Sequence, residues 1–306
     1  MTSKDRLEAS GRIEALRRKL DEQGLDGYVV PRFDEHQGEY CAPHDNRLAF
    51  VTGFTGSAGV AIVMRDRAAI FVDGRYQVQV RQEIDADSFA IEHFYDAPLK
   101  DWLRKNLRKG ERVGFNSMLL PSTWDMDCGQ SVVAAGAEWV AVTDDLVDAI
   151  WSDQPERPLG NVMALSRDYA GESVADKKRR IGQMLAEQGA DVLIEAQPDN
   201  IAWFLNVRGR DIAFNPMPQS FMIADRDGRV EWLVDHRKLP NDLSDFELDG
   251  VTMSSRRCCS TASGPLPPGG WRSSMPALPH RRSPMRRARL AAACAFCAAR
   301  SRLPRC

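Results

Sequence analysis

The sequence predicts an α/β protein of two tandem domains, each a mixed β-sheet covered by helices, with the second domain cut short and an aberrant Arg/Pro/Cys-rich tail behind it. Three observations carry that reading. Amphipathic helical segments alternate with short apolar strands up to Gly250, the order of those segments recurs once, and the composition changes abruptly at Gly250–Val251.

The change at 250 is the sharpest boundary in the chain. Residues 251–306 contain no Asp, Glu or Lys but hold eleven Arg, seven Pro and five of the seven Cys. The 250 residues before them carry 30 basic and 43 acidic side chains, so the formal net charge of -2 joins a body near -13 to a tail near +11. Four readings of the tail stand side by side: a basic nucleic-acid-binding arm, a zinc site using Cys258, Cys259, Cys294 and Cys297, a natural disordered extension, or a GC-rich gene read out of frame. The last is preferred, because Arg, Pro, Ala, Ser, Gly and Cys are what such a reading yields. Adjacent Cys258 and Cys259 do not make the usual second ligand pair, and the tail is sparse in aromatics.

The body excludes several classes. Its acidic balance argues against a nucleic-acid partner, since neutralising phosphates needs a basic surface. There is no run of 18 uncharged apolar residues, so no membrane span is expected. The charged start at 1–20 lacks the apolar core of a signal peptide, which points to the cytoplasm. With only Cys41 and Cys128 in the body, no disulfide framework is expected.

In chain order, residues 4–23 form a helix with Ile13, Leu16 and Leu20 on one stripe; Gly24 ends it, and GLDGYVVP supplies a strand. VAIVM (60–64) and AAIFV (68–72) are strands around the turn at 65–67, followed by a helix over 75–83. A helix at 98–108, a strand ERVGFN, a helix after Pro121 and a strand EWVAVT complete a first domain of residues 5–150. Residues 151–160, polar and Pro-rich, are the linker. The second domain, 161–250, begins with a helix at 172–188 and the strand ADVLIEA. SFMIA (220–224) and RVEWLV (229–234) then flank an Asp-Gly hairpin turn, with a helix at 236–244.

The two domains repeat one design. D-E-Q-G at 21–24 matches A-E-Q-G at 186–189; N-R-L-A-F at 46–50 matches N-I-A-W-F at 200–204; and F-V-D at 71–73 matches L-V-D at 233–235. The offsets are 165, 154 and 162 residues, as expected for a duplication with altered loops.

Candidate chemistry is sparse. His36 and His44, with Asp34, Glu35, Glu39 and Asp45, can be read as a metal patch or as a polar loop wrapping the first domain, and the loop is preferred. G-F-T-G-S-A-G at 53–59 lacks the Lys-Ser/Thr of a phosphate loop and does not fit G-x-G-x-x-G, so it reads as a tight turn. Asp73-Gly74-Arg75-Tyr76 presents an Arg after a buried strand, whose planar fork suits a carboxylate or carbonyl. Pairing of Arg75 with Asp73 or a helix end is the alternative. Asn206 to Asp211, followed by Asn215-Pro216, reads as turn chemistry.

FDEHQGEYCAPHDNRLAFVTGFTGSAGVAIV (33–63), FVDGRYQVQ (71–79), AIWSDQPERP (149–158) and NIAWFLNVRGRDIAFNP (200–216) resemble the first half of a long-form, three-domain cytosolic Xaa-Pro aminopeptidase, in metallopeptidase family M24. The resemblance covers residues 10–250. It implies two creatinase-like N-terminal domains. It also implies removal of the residue preceding proline, two divalent metals (usually manganese), and homodimers. The metal ligands of the family come from a third, pita-bread domain that follows the first two. The resemblance therefore implies no catalytic residue, no metal ligand and no cofactor in these 306 residues. It implies one substrate-binding residue, Arg75, which would contact an X-Pro peptide only beside a catalytic domain. The chain itself is expected to be inactive, the alternative being a non-catalytic binding or oligomerisation module that associates with an intact homologue.

Overall fold

Ile13, Leu16 and Leu20 are all buried on α1 (Ser3–Gln23), as the three- and four-residue spacing requires. The computed structural model describes residues 3–255, and the chain divides into two units that part between Arg157 and Pro158, inside the expected linker.

In the first unit, β1 (Gly27–Pro31), α2 (Arg47–Thr52), β2 (Gly59–Met64), β3 (Ala68–Val72), α3 (Gln77–Glu83), β4 (Ala90–His93), α4 (Leu99–Asn106), β5 (Arg112–Asn116), α5 (Ser122–Ala134) and β6 (Glu138–Val142) follow α1. The six strands form one mixed sheet in the order β4-β3-β2-β1-β5-β6. β1, β2 and β3 pair antiparallel, while β3–β4, β1–β5 and β5–β6 pair parallel. Every residue of β1, β2 and β3 is buried, so these strands read as continuous apolar runs. Alternate residues serve opposite faces. Tyr28, Val30, Ala61, Val63, Ile70 and Val72 face a core with α1, α2 and α3. Val29, Val60, Ile62, Met64, Ala69 and Phe71 face a second core closed by α4 and α5 through Leu99, Leu103, Cys128 and Val132. Full burial of each large apolar side chain contributes about 1.5–3 kcal/mol.

The second unit has a two-residue ribbon of β7 (Met163–Ala164), reached after α6 (Arg167–Ala170) and α7 (Val174–Glu187) by its partner β9 (Val207–Arg208). Its main sheet contains β8 (Val192–Glu195), β10 (Phe221–Asp225), β11 (Val230–Leu233) and β12 (Val251–Ser254), with α8 (Pro198–Phe204) after β8. The order is β12-β11-β10-β8, antiparallel at β8–β10 and β10–β11 and parallel at β11–β12. These directions reproduce β1–β2, β2–β3 and β3–β4, so the internal repeat seen in the sequence is a repeat of topology. The helix ends agree as well. Gly24 (φ 62) and Gly189 (φ 60) both adopt the left-handed conformation, and the residue after each donates its N–H back to Leu20 or Leu185.

Two expectations are corrected. Residues 236–244 do not form a helix. A single turn at His236–Lys238 is capped by Asp235, Leu239 is extended, and Pro240 follows, which disfavours helical geometry before it. The second domain also continues past Gly250, since β12 pairs in register with β11 from Val251 to Ser254. Cys41 and Cys128 are free thiols. The rest of the tail, including the four-cysteine zinc alternative, lies outside the described residues. No helix among the described residues is long and apolar enough to cross a membrane.

Candidate functional site

Arg75 stands just beyond β3, on a turn whose first residue caps it. The Asp73 carboxylate accepts the Arg75 backbone N–H at 2.9 Å and holds the side chain as a fork, Nε at 3.1 Å and Nη2 at 2.6 Å from Oδ2. Asp73 is buried while the Arg75 side chain is 68% exposed. The hydrogen bonds from Arg75 hold the Asp73 carboxyl below its usual range, and the guanidinium is raised in return. The ion pair offered as the alternative reading of Arg75 is therefore present. It uses Nε and Nη2, leaving Nη1 outside the pair.

The neighbouring residues build a platform around that group. The Arg75 guanidinium lies 5.3 Å from the Tyr76 ring centroid, and Tyr76 OH is 2.8 Å from Ser57 Oγ. Tyr76 meets Phe54 edge-on at 5.6 Å. Phe54 in turn fills the space over Gly56, where an added Cβ would lie 2.2 Å from its ring. The glycine turn at 53–59 thus has a structural task, which is to seat Phe54 beneath the Arg75 turn. From β4, whose His93 is in register with Val72, come His93 and the exposed Tyr95, with ring centroids 6.1 Å apart. The sequence singles out Arg75 as a candidate but not its neighbours His93 and Tyr95, because β4 is a short strand of mixed polarity.

The His36/His44 loop is a structural wrapping. Asp34 accepts the backbone N–H groups of His36 and Gly38, and Asp45 pairs with buried Arg47 at 3.1 Å. His44 Nδ1 lies 2.6 Å from Pro155 O. Arg47 also meets Asp148 at 2.7 Å and Asp145 at 3.8 Å. Asp145 accepts Tyr28 OH and Asn116 Nδ2, and burial raises its carboxyl above the usual range. These carboxylates are turned inward, and among the described residues no group of three or more His, Cys, Asp or Glu is placed to hold a metal ion. The donors among the described residues do not fit a dinuclear metal pair.

The Asn206–Asp211 segment is likewise built into the fold. Lys177 Nζ donates to Trp203 O and Asn206 Oδ1, each at 2.6 Å, and burial lowers its ammonium below the ordinary range. Asp211 accepts Gly160 N, Gln219 N and Lys238 Nζ.

Fold and repeat together define two tandem α/β domains of one design. Residues 12–149 match the Creatinase/Prolidase N-terminal domain, and residues 153–262 match a second family model of that description. The chain belongs to the creatinase/prolidase N-terminal domain family. It is similar to the Xaa-Pro aminopeptidase ApepP of Drosophila melanogaster, 36% identical over 225 residues, covering 72% of this chain and 36% of the fly protein. A probable Xaa-Pro aminopeptidase P of Neurospora crassa is 34% identical over 250 residues, covering 80% of this chain and 36% of the relative. The crystal structure of the X-prolyl aminopeptidase of Caenorhabditis elegans, described as a cytosolic enzyme with a di-nuclear active site, superposes with a TM-score of 0.78 at 25% identity. That match covers 82% of this chain and 43% of the worm chain. The chain thus spans well under half the length of the relatives it matches.

Proposed function

We propose that this chain is the non-catalytic N-terminal half of a metal-dependent Xaa-Pro aminopeptidase, without peptidase activity as it stands and resident in the cytoplasm. The match of both units to N-terminal domains of the family carries this reading. The metal chemistry and the homodimer would belong to the portion of the relatives outside the match. Arg75 positions an X-Pro peptide only when a catalytic domain lies beside it, with Nη1 the group left to reach a peptide carbonyl. The purified 306-residue chain with Mn2+ is expected to release no N-terminal residue from an X-Pro peptide; turnover abolished by a chelator would overturn the reading.

The role of Arg75 has an internal control. Asp235 and Arg237 form the same fork in the second unit, with Arg237 Nη2 at 2.7 Å from Asp235 Oδ2. In a chimera joining residues 1–255 to the remainder of the fly relative, Arg75→Ala is expected to raise KM about tenfold and Arg237→Ala to leave it unchanged. Equal effects would make Arg75 a turn-former only. A second reading, a docking module for an intact homologue, is favoured by the half-exposed Val192 and Ile194 on β8, which ends the second sheet among the described residues.

A further inference from the structure

Five of the six strands of the first sheet run the same way. β1 is parallel to β5, β5 to β6 and β3 to β4, and the two antiparallel steps through β2 bring β3 into line with β1. Their carboxyl ends therefore share one rim, the side of an open α/β sheet on which ligands are gathered. Phe33 follows β1 there, Arg75 follows β3, Phe94 and Tyr95 follow β4, and Trp124 stands in the first turn of α5, which comes after β5. The rings meet in succession. Between centroids, Tyr95 lies 5.6 Å from Phe94, Phe94 5.2 Å from Trp124, and Trp124 5.5 Å from Phe33. The run begins beside the Arg75 turn, because His93, 6.1 Å from Tyr95, has its Nε2 3.6 Å from the place a Cβ would occupy on Gly74.

Exposure and unmet hydrogen bonds separate this run from the border of the core. Tyr95 is 72% exposed, and Phe33, Phe94 and Trp124 are half-buried. Elsewhere in the unit the polar tips of aromatic residues are satisfied, Tyr28 OH by Asp145 and Trp139 Nε1 by Asp125. On the rim, Tyr95 OH, Trp124 Nε1 and Arg75 Nη1 make no hydrogen bond among the described residues, and none of the three is sealed from water. Rings with an apolar body and a free polar tip are enriched where proteins bind. The acidic groups nearby already have partners: Asp73 pairs with Arg75, and Asp96 lies 3.1 Å from His93 Nδ1. The surface thus offers donors and ring faces. A matching ligand has carbonyl oxygens for the donors and apolar side chains for the rings, which describes an extended peptide. From β4 to β1 there are three strand spacings, about 14 Å at ~4.8 Å each, or the length of about four extended residues at ~3.3 Å.

We propose that Tyr95, Phe94, Trp124 and Phe33 bind the part of an extended peptide that lies beyond the residues at Arg75, with apolar side chains on the rings and carbonyls on Tyr95 OH and Trp124 Nε1. This rests on the reading of Arg75 as a peptide contact and adds the substrate class, which is peptides with about four further residues, aromatic or long aliphatic at alternate positions. The full 306-residue chain, labelled for NMR, is titrated with the synthetic peptides Ala-Pro-Gly-Phe-Gly-Phe and Ala-Pro-Gly-Ser-Gly-Ser, following the Trp124 indole N–H and the Tyr95 amide. The Phe peptide is expected to shift both saturably with a Kd of about 1 mM, and the Ser peptide to bind at least about tenfold more weakly. Tyr95→Ser alters a side chain that is mostly in water, so the other resonances keep their native positions while affinity for the Phe peptide falls at least about threefold. Ala-Gly-Gly-Phe-Gly-Phe is expected to bind as tightly as its Pro counterpart, since the rings take only the downstream part. No saturable shift up to about 10 mM, equal affinity for the Phe and Ser peptides, or unchanged affinity in Tyr95→Ser overturns the proposal. So does loss of binding when Pro is replaced, which would move the contact to the X-Pro end. These are equilibrium readouts without turnover. Failure of the inactive-half reading appears separately, in the peptidase assay, and failure of Arg75 as a peptide contact in the KM of the chimera.

Discussion

Ile62 and Ile223 hold equivalent places in the two sheets, the first opposite Val29 and Ala69 and the second opposite Ile194 and Glu231, so truncating each compares how well the two faces are covered. Ile62→Ala removes three carbons from a fully buried side chain packed in the core that Leu99, Leu103 and Val132 close. At ~0.8 kcal/mol per buried methylene the transfer loss is about 2.4 kcal/mol. The cavity left in a close-packed site raises the total to about 3–4 kcal/mol. Ile223→Ala removes the same atoms from a partly exposed side chain beside exposed Val192 and Ile194, where water refills the space and no cavity remains. Its cost is about 1 kcal/mol or less. Urea unfolding followed by hydrogen exchange reads each unit through peptides covering β2 and β10. With a slope of about 2 kcal/mol per molar, the midpoint of the first unit falls by about 1.5–2 M in Ile62→Ala. In Ile223→Ala the second unit moves by about 0.5 M or less. A loss above about 2 kcal/mol for Ile223→Ala would show that its face is covered, and would refute the reasoning from its exposure.

Arg47→Ala leaves Asp45, Asp145 and Asp148 around an empty cationic position, with Asp45 and Asp145 buried. It is expected to cost about 3 kcal/mol and to lower the melting temperature of the first unit by roughly 10 °C in calorimetry. The Asp235 carboxyl is held down to about 2 by its hydrogen bonds from Arg237. Because the folded value is depressed, the contribution of that pair is present above the ordinary carboxylate range and lost as pH falls toward 2; NMR titration of Asp235 in Arg237→Ala should return it to that ordinary range. Burial pushes the Cys41 and Cys128 thiols up to about 11 and about 12. Iodoacetamide at pH 8.5 should therefore modify both at least about a hundredfold more slowly in the native protein than in urea, read by peptide mass spectrometry.

The sequence made the longer apolar strands legible and the short mixed ones obscure. β1, β2 and β3 declare themselves because both faces are buried, giving uninterrupted apolar runs, and α1 because its stripe meets one of those faces. β4 and β12 escape notice because each is a four-residue strand with only two apolar side chains, whereas β6 and β8, which also end their sheets, carry at least three in an unbroken run. Ala90-Ile-Glu-His93 and Val251-Thr-Met-Ser254 contain too few apolar positions to show a period. The break in composition falls before β12 rather than after it, since β12 is held by backbone pairing to β11 and needs no acidic or basic side chain. The helix expected at 236–244 fails for a local reason, the Asp235 cap followed by Pro240. At the candidate site the turn was readable, but the Asp73–Arg75 fork was not, because the same residues at the same spacing permit either an inward pair or an outward clamp.

Recurrence of that fork in both units separates what the turn does from what Arg75 does. Asp73–Arg75 and Asp235–Arg237 share the cap, the bidentate geometry and the depressed carboxyl, so these features belong to the end of the third strand in either sheet. In the first copy the Arg lies over Tyr76, Phe54 meets Tyr76 edge-on from the glycine turn at 53–59, and His93 and Tyr95 pair after the neighbouring strand β4. The proposed role in recognising peptide would rest on this surrounding, since the guanidinium fork alone is duplicated in the second unit. Replacing Tyr95 by Ala in the chimera is thus the sharper test of the platform. The fork survives intact, and a rise in KM with unchanged unfolding would locate the specificity in the aromatic neighbours, whereas an unchanged KM would confine it to Arg75 itself.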